Sequence, residues 1–190
     1  MIGFIVDGPG DFAAFRARYT GVGKVLKTDG PRGQDVPAGT IIASAAKQVS
    51  MLRDLGCSSV VIVTDYEKRD VTYREFIRQL QFESSGVDFI IPVRIASPNT
   101  MIENWYLADL EGICKKHVFL KPGLRQKSYE GKHGKVELRR LFKKGYDYNE
   151  VLHGPKLFPK VRTKIAEEQS SSFRRFVAEL QSCGVAPRNR

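Results

Sequence analysis

The acidic side chains with spacing that could do chemistry are Asp7, Asp11, Asp65, Glu67 and Asp70, with Glu103 and Asp109 further on. Asp7 and Asp65 directly follow, or nearly follow, short apolar runs, Met1 to Val6 and Val60 to Val63. Carboxylates two apart in an extended segment project to the same side, so Asp65 and Glu67 could share one metal ion while Asp7 comes in from a neighbouring strand. Hard oxygen donors favour Mg2+ or Mn2+ over zinc, and such ions promote phosphoryl transfer by neutralising developing charge. The same positions also suit structural work, with Asp7 and Asp65 as turn formers and Asp11 as a helix cap. Glu103, on the first turns of a helix, is either a helix-dipole partner or an accessory carboxylate at the same site.

Other chemistries find less support. His117, His133 and His153 lack ligand spacing and read as surface or nucleic-acid contacts. Cys57, Cys114 and Cys183 are widely spaced and form no CxxC, which indicates neither a disulfide framework nor a zinc cluster. No GxSxG nucleophile elbow occurs. Gly21-Val22-Gly23-Lys24 approaches a phosphate loop, but Val25 stands where Ser or Thr is required and Arg18 where the first glycine belongs. Gly8-Pro9-Gly10 lacks the third glycine of a dinucleotide fingerprint. Trp105, the only tryptophan, reads as core.

The formal net charge is +10, unevenly spread. Residues 1–110 carry 12 Lys/Arg against 13 Asp/Glu, and residues 111–190 carry the remaining 19 against 8. A surface of that sign attracts a polyanion, nucleic acid first, or an acidic protein or membrane surface, or else merely solvates a small subdomain. The candidates for holding a phosphate backbone are Arg139, Arg140, Lys143, Lys144, Lys160, Arg162 and Lys164. The first four would share one side of a helix if residues 139–144 were helical.

Elements able to position these residues alternate along the first 110. Met1 to Val6 is a buried strand, followed by a Gly-Pro turn and a helix bearing Phe12, Phe15 and Tyr19 on one face. Residues 21–39, rich in Gly and Pro, are expected to be loop. A helix from about Pro37 runs to Gly56, its C-terminal stop. Val60 to Val63, β-branched throughout, suits a central parallel strand. A helix at about Thr72 to Glu83, a strand at Asp88 to Ile95 and a helix at Asn99 to Leu110 complete the series. This order gives an open, mainly parallel α/β sheet covered by helices, where ligands bind at the carboxyl ends of strands. After residue 111 regularity weakens until a last helix, Phe173 to Leu180, preceded by capping serines; residues 186–190 are expected to fray. The expected division is a core at 1–110 and a basic, mostly helical C-terminal subdomain at 111–190 packed on it. No apolar run approaches the roughly 20 residues of a membrane span, and the N-terminus lacks the pattern of a signal peptide, so no membrane and a cytoplasmic location are expected.

The sequence resembles the TOPRIM-like proteins gathered in the family named domain of unknown function 4276, related to the nuclease domains of OLD-type defence systems. The similar pieces are the Asp7-Gly8 to Asp11 turn, Val60 to Glu67 with Asp70, Val93-Arg94-Ile95-Ala96 leading into Glu103 to Asp109, Lys121-Pro122, Tyr148 to Gly154, and Ser172-Phe173-Arg174-Arg175-Phe176. In TOPRIM domains a Glu after the first strand and an Asp-x-Asp pair after a later one hold Mg2+ for cleaving or joining phosphodiester bonds. The resemblance places Asp7, Asp65 and Glu67 at those positions; Asp7 is one methylene shorter than the family's Glu, and Glu67 one longer than its Asp. It also implies relatives encoded beside ATPases in prokaryotic antiviral defence or mobile-element clusters, hence an ATPase partner protein. The leading expectation is a Mg2+- or Mn2+-dependent nuclease or related phosphodiester-processing enzyme, with Asp7, Asp65 and Glu67 as metal ligands and Asp7 and Glu103 as catalytic carboxylates. The rival is a catalytically inactive TOPRIM-like module that binds nucleic acid or a partner protein.

Overall fold

A computed structural model describes residues 1–115 and 117–185; the expected fraying at 186–190 lies outside the described residues. Four strands form one parallel sheet in the order β2-β1-β3-β4: β1 (Ile2–Val6), β2 (Gly23–Lys27), β3 (Ser59–Val63) and β4 (Val93–Ala96). The α/β class and parallel sheet expected from the alternation are therefore present. The two central strands, β1 and β3, are buried at every residue, as their unbroken apolar sequences require of a sheet covered on both faces. They pair in register from Ile2 with Ser59 to Val6 with Val63, so Asp7 and Thr64 leave the sheet side by side.

Side chains of successive strand residues divide between two layers. Ile5, Val60 and Ile62 face α2 (Ala38–Asp54) and α3 (Tyr73–Ser85). Phe4, Val6, Val61 and Val63 face a larger core shared by α1 (Pro9–Arg18), α4 (Glu103–Leu107), α5 (Leu110–Cys114), α6 (Gly134–Leu141), α7 (Glu150–Leu157), α8 (Thr163–Gln169) and α9 (Ser171–Ser182). Trp105 belongs to it, fully buried, stacked on Phe176 with ring centroids 4.7 Å apart and donating its indole N–H to Ser172 Oγ at 3.0 Å. The C-terminal helices thus share a core with the first strand. Buried Arg18 fastens the two parts: its guanidinium donates to the carbonyls of Phe158 (2.6 Å) and Val161 (2.9 Å) and to Thr163 Oγ1 (3.2 Å).

Several boundaries differ from expectation. Residues 21–39 are not all loop, because β2 pairs with β1 as an edge strand; its Lys24 and Lys27 point to solvent, which hides the strand in the sequence. The strand expected from Asp88 starts only at Val93, after Pro92, which cannot donate to a ladder. The helix expected from Asn99 to Leu110 is two, since Asp109 stops the first and caps α5 by accepting from Gly112 N at 2.9 Å. α6 ends at Leu141, with extended backbone at Phe142, so Lys143 and Lys144 do not continue the helical face of Arg139 and Arg140.

Candidate functional site

The carboxyl edge of the sheet gathers the acids. Asp7 follows β1 and its Oδ2 accepts from Thr64 Oγ1 at 2.8 Å and from the Asp65 amide at 2.9 Å, tying together the ends of β1 and β3. Asp11 sits in the first turn of α1 and its Oδ2 accepts from Gly8 N at 3.0 Å. It does not precede the helix as the sequence suggests, since Gly8 is the N-cap and Asp11 is a residue of the first turn that bonds back to it, and its charge also acts on Asp7 and Asp65. Glu103 opens α4 and is fully buried; Oε1 accepts from Tyr148 Oη at 2.8 Å, and Oε2 has no hydrogen-bond partner.

Crowding and burial push every one of these acids upward. Burial moves Asp7 from 3.8 to about 6, with the Asp11 and Glu67 charges adding to the rise and the bonds from Asp65 and Thr64 opposing it. Burial raises Asp65 well above the carboxylate range, followed by the charges of Asp11, Asp7, Glu103 and Glu67. Asp11 is raised by burial and by Glu150, against the pull of the Gly8 bond, Lys135 and Arg32. Glu103 is pushed up to about 7, by burial first and then by Asp11. Asp7, Asp11 and Asp65 keep part of their surface in water, so the set opens to solvent on one side with Glu103 as its closed floor.

Glu67 stands at the rim in an unusual conformation. Its φ of 55° is left-handed, so residues 65–67 are not extended, and the alternation that would aim Asp65 and Glu67 to one side does not hold. Its amide donates to the carbonyl of Thr100 at 2.7 Å, and Thr100 itself has φ 110°, costly for a β-branched residue. The loops after β3 and β4 thus hold each other in strained backbone at the carboxyl edge of the sheet.

Cations come from elements the sequence did not single out. Arg32 Nη1 donates to the Asp7 carbonyl at 3.0 Å. Its loop is clamped by Arg69, which donates to the carbonyls of Gly33, Gln34 and Val36 while lying 4.0 Å over the Phe76 ring. Lys135, in the first turn of α6, pairs with Glu150 at 2.5 Å. Lys135, Tyr148 and Glu150 were missed as site residues because they lie more than 30 residues beyond Glu103 in weakly periodic sequence; the signals present are the Tyr148 to Gly154 piece of the resemblance and the Asn149 cap that starts α7 at Glu150.

The basic residues proposed to hold phosphate are not gathered here. Arg139 and Arg140 lie in the last turn of α6, Arg140 paired with Glu137 at 2.6 Å and Arg139 near Asp147 at 3.8 Å. Lys143, Lys144, Lys160 and Lys164 are exposed, the latter two in the 3-10 turn Phe158–Lys160 and in α8. Arg162 needs correction: its guanidinium is engaged by Asp109 and Glu111, both at 2.7 Å, and its amide bonds Asp109 Oδ2 at 2.8 Å. Asp109 is completely buried, so Arg162 neutralises an interior carboxylate instead of reaching for a polyanion. His117 and His153 also pack inward, against Phe119.

Among the described residues, no group of three or more His, Cys, Asp or Glu is arranged as it stands to hold one metal ion. The donor chemistry nevertheless suits a hard cation: the set is all carboxylate oxygen, and the buried, unpartnered Glu103 Oε2 lacks the partner that such an atom ordinarily has. Among the described residues no helix is long and apolar enough to cross a membrane. Compared with family models, with curated proteins and with solved structures, the chain gives no match. Function must therefore be read from these residues themselves.

Proposed function

We propose that this chain is a cytoplasmic, TOPRIM-like, divalent-cation-dependent nuclease or related phosphodiester-processing protein. The observation that carries the reading is the orphaned Glu103 Oε2 at the floor of a set of carboxylates that burial, and then mutual repulsion, push upward. A buried carboxyl oxygen without a hydrogen-bond partner is costly, and a divalent cation is the ligand that removes the cost for several carboxylates at once. Asp7, Asp65 and Glu103 would hold Mg2+ or Mn2+, with Asp11 behind them and Glu67 at the rim; the bound ion would supply charge neutralisation at the phosphodiester.

The chain's own groups account for the rest. Asp7 cannot swing freely, because its Oδ2 is bonded to both Thr64 and Asp65. Tyr148 fixes the Glu103 carboxyl by its Oε1 and leaves Oε2 without a partner. Glu103, pushed up to about 7 when no cation is present, would give up its proton to a bound divalent ion and stay ionised at neutral pH. Arg32 supplies a cation at the mouth for an anionic substrate.

The test is cleavage of labelled single- and double-stranded DNA and RNA with Mn2+, Mg2+ or EDTA, using the native chain and Asp65→Asn. Metal-dependent cleavage that falls at least about a hundredfold in Asp65→Asn supports the reading. Nucleic-acid binding without any cleavage, or cleavage that persists in EDTA, overturns it, and the first outcome favours the non-catalytic binding module.

A further inference from the structure

The first turn of α6 is driven into the carboxylate set. Gly134 packs so tightly on α4 that a Cβ there would stand 2.8 Å from Glu103 Cβ and 3.0 Å from the Asn104 amide. Only glycine permits that approach, and it delivers the next residue, Lys135, beside Glu103. The Lys135 amide donates to Met101 Sδ at 3.3 Å, and its ammonium lies 2.5 Å from Glu150 Oε2. Glu150 is pinned in turn, its Cβ 2.7 Å from where a Cβ on Gly10 would be. Glu150 from α7 is the acid in contact with the Lys135 ammonium, and the charges of Asp11 from α1, Asp65 after β3 and Glu103 from α4 act on it or feel it as well.

We propose that Lys135 is the resident counter-ion of this carboxylate set, and that its ammonium and a divalent cation are alternative occupants of it. The inference rests on the metal-dependent reading above. The ammonium and a divalent cation draw on the same negative charge of Asp65 and Glu103, and in a partly desolvated site their mutual repulsion makes each weaken the binding of the other. Lysine suits the role, since its charge is a compact point on a flexible stem and its side chain is still 38% exposed, leaving a path to swing away. Burial alone would depress this lysine, but the Glu150 bond and the Glu103 and Asp65 charges raise it, so the ammonium stays charged in place.

The experiment measures Mn2+ binding to the full chain by calorimetry, together with thermal melting in EDTA and in saturating Mn2+ at pH 8. Lys135→Met keeps much of the stem and removes the charge, and Lys135→Arg keeps the charge. Lys135→Met should bind Mn2+ about tenfold tighter or more, as loss of a competing charge would give. It should melt below the native chain in EDTA and above it in Mn2+, with Lys135→Arg close to native in both. Binding by Lys135→Met alone would support the proposal equally. Equal Mn2+ affinity in the native chain and Lys135→Met overturns the counter-ion role while leaving the metal reading intact; no Mn2+ bound by any of the three at millimolar concentration overturns the metal reading and this inference with it.

Discussion

Replacing Glu103 by Gln removes one ionisable group with almost no change of shape, and its consequence for stability follows from the site. Glu103 is completely buried and titrates at about 7 instead of 4.5, with burial as the main cause and the Asp11 charge next. Between those two pH values the folded chain holds a proton that the unfolded chain has released, so stability falls as pH rises through the interval and levels off above about 7. At roughly 1.36 kcal/mol for each pH unit of that interval, the loss from this residue is about 3 kcal/mol. The amide of Glu103→Gln would carry no charge at any pH and would still accept the Tyr148 hydroxyl on its carbonyl. The variant should therefore match the native chain near pH 5 and exceed it by up to about 3 kcal/mol at pH 8 in EDTA, a urea midpoint higher by about 1–2 M. Urea titrations at half-unit pH steps read this directly. Parallel pH profiles for the two chains would refute the claim that Glu103 is ionised at a cost in the metal-free fold. So would a variant less stable than native at pH 8, which would make Glu103 a net stabilising partner.

The other predictions concern neighbouring parts of the structure. Asp7→Glu should lower cleavage at least tenfold, about 1.4 kcal/mol in the barrier, because the longer chain pushes the carboxylate off the Thr64 and Asp65 donors at 2.8 and 2.9 Å; kcat equal to native would mean the site does not depend on that anchorage. Arg18→Met should destabilise the chain by about 2–4 kcal/mol by stranding the buried carbonyls of Phe158 and Val161, seen as a Tm lower by several degrees in calorimetry; an unchanged Tm would refute that account. Replacing Arg139, Arg140, Lys143 and Lys144 together by Ala should reduce the salt dependence of nucleic-acid affinity by less than about 0.9 in log–log slope per lost charge, because Arg140 is already paired with Glu137; a full loss of four contacts would show the cluster to be a committed phosphate track.

What was legible in the sequence was the part with local causes. Apolar runs that end in Asp mark β1 and β3, and their parallel register carries Asp7 and the Asp65 amide into contact, so two members of the site follow from pattern alone. Glu103 was legible by position, on the first turns of a helix leaving the sheet, although that helix starts at Glu103 and not at Asn99. β2 was not, because an edge strand needs only one covered face and its lysines then resemble loop. Asp11 shows a different difficulty: its capping bond to Gly8 is a sufficient local explanation, so nothing in the sequence asks for the second role that only the fold reveals.

The C-terminal half shows why the remainder was hidden, and why its charge misleads. Counted along the chain, residues 111–190 look like a basic arm awaiting a polyanion. In the fold, two of those cations act on acids far away in sequence, Arg162 through its ion pair with Asp109 and Lys135 through its charge on Glu103, while Tyr148 bonds Glu103 itself. An interior carboxylate costs several kcal/mol unless it is paired, so the acids of the first half require these partners from the second. Part of the positive excess in the C-terminal sequence is thus the complement of buried negative charge in the N-terminal one, and only what remains after that pairing is free for nucleic acid. It follows that a fragment ending near residue 110 would lose more than a binding surface: Glu103 and Asp109 would be left without the hydroxyl, ammonium and guanidinium that the second half provides.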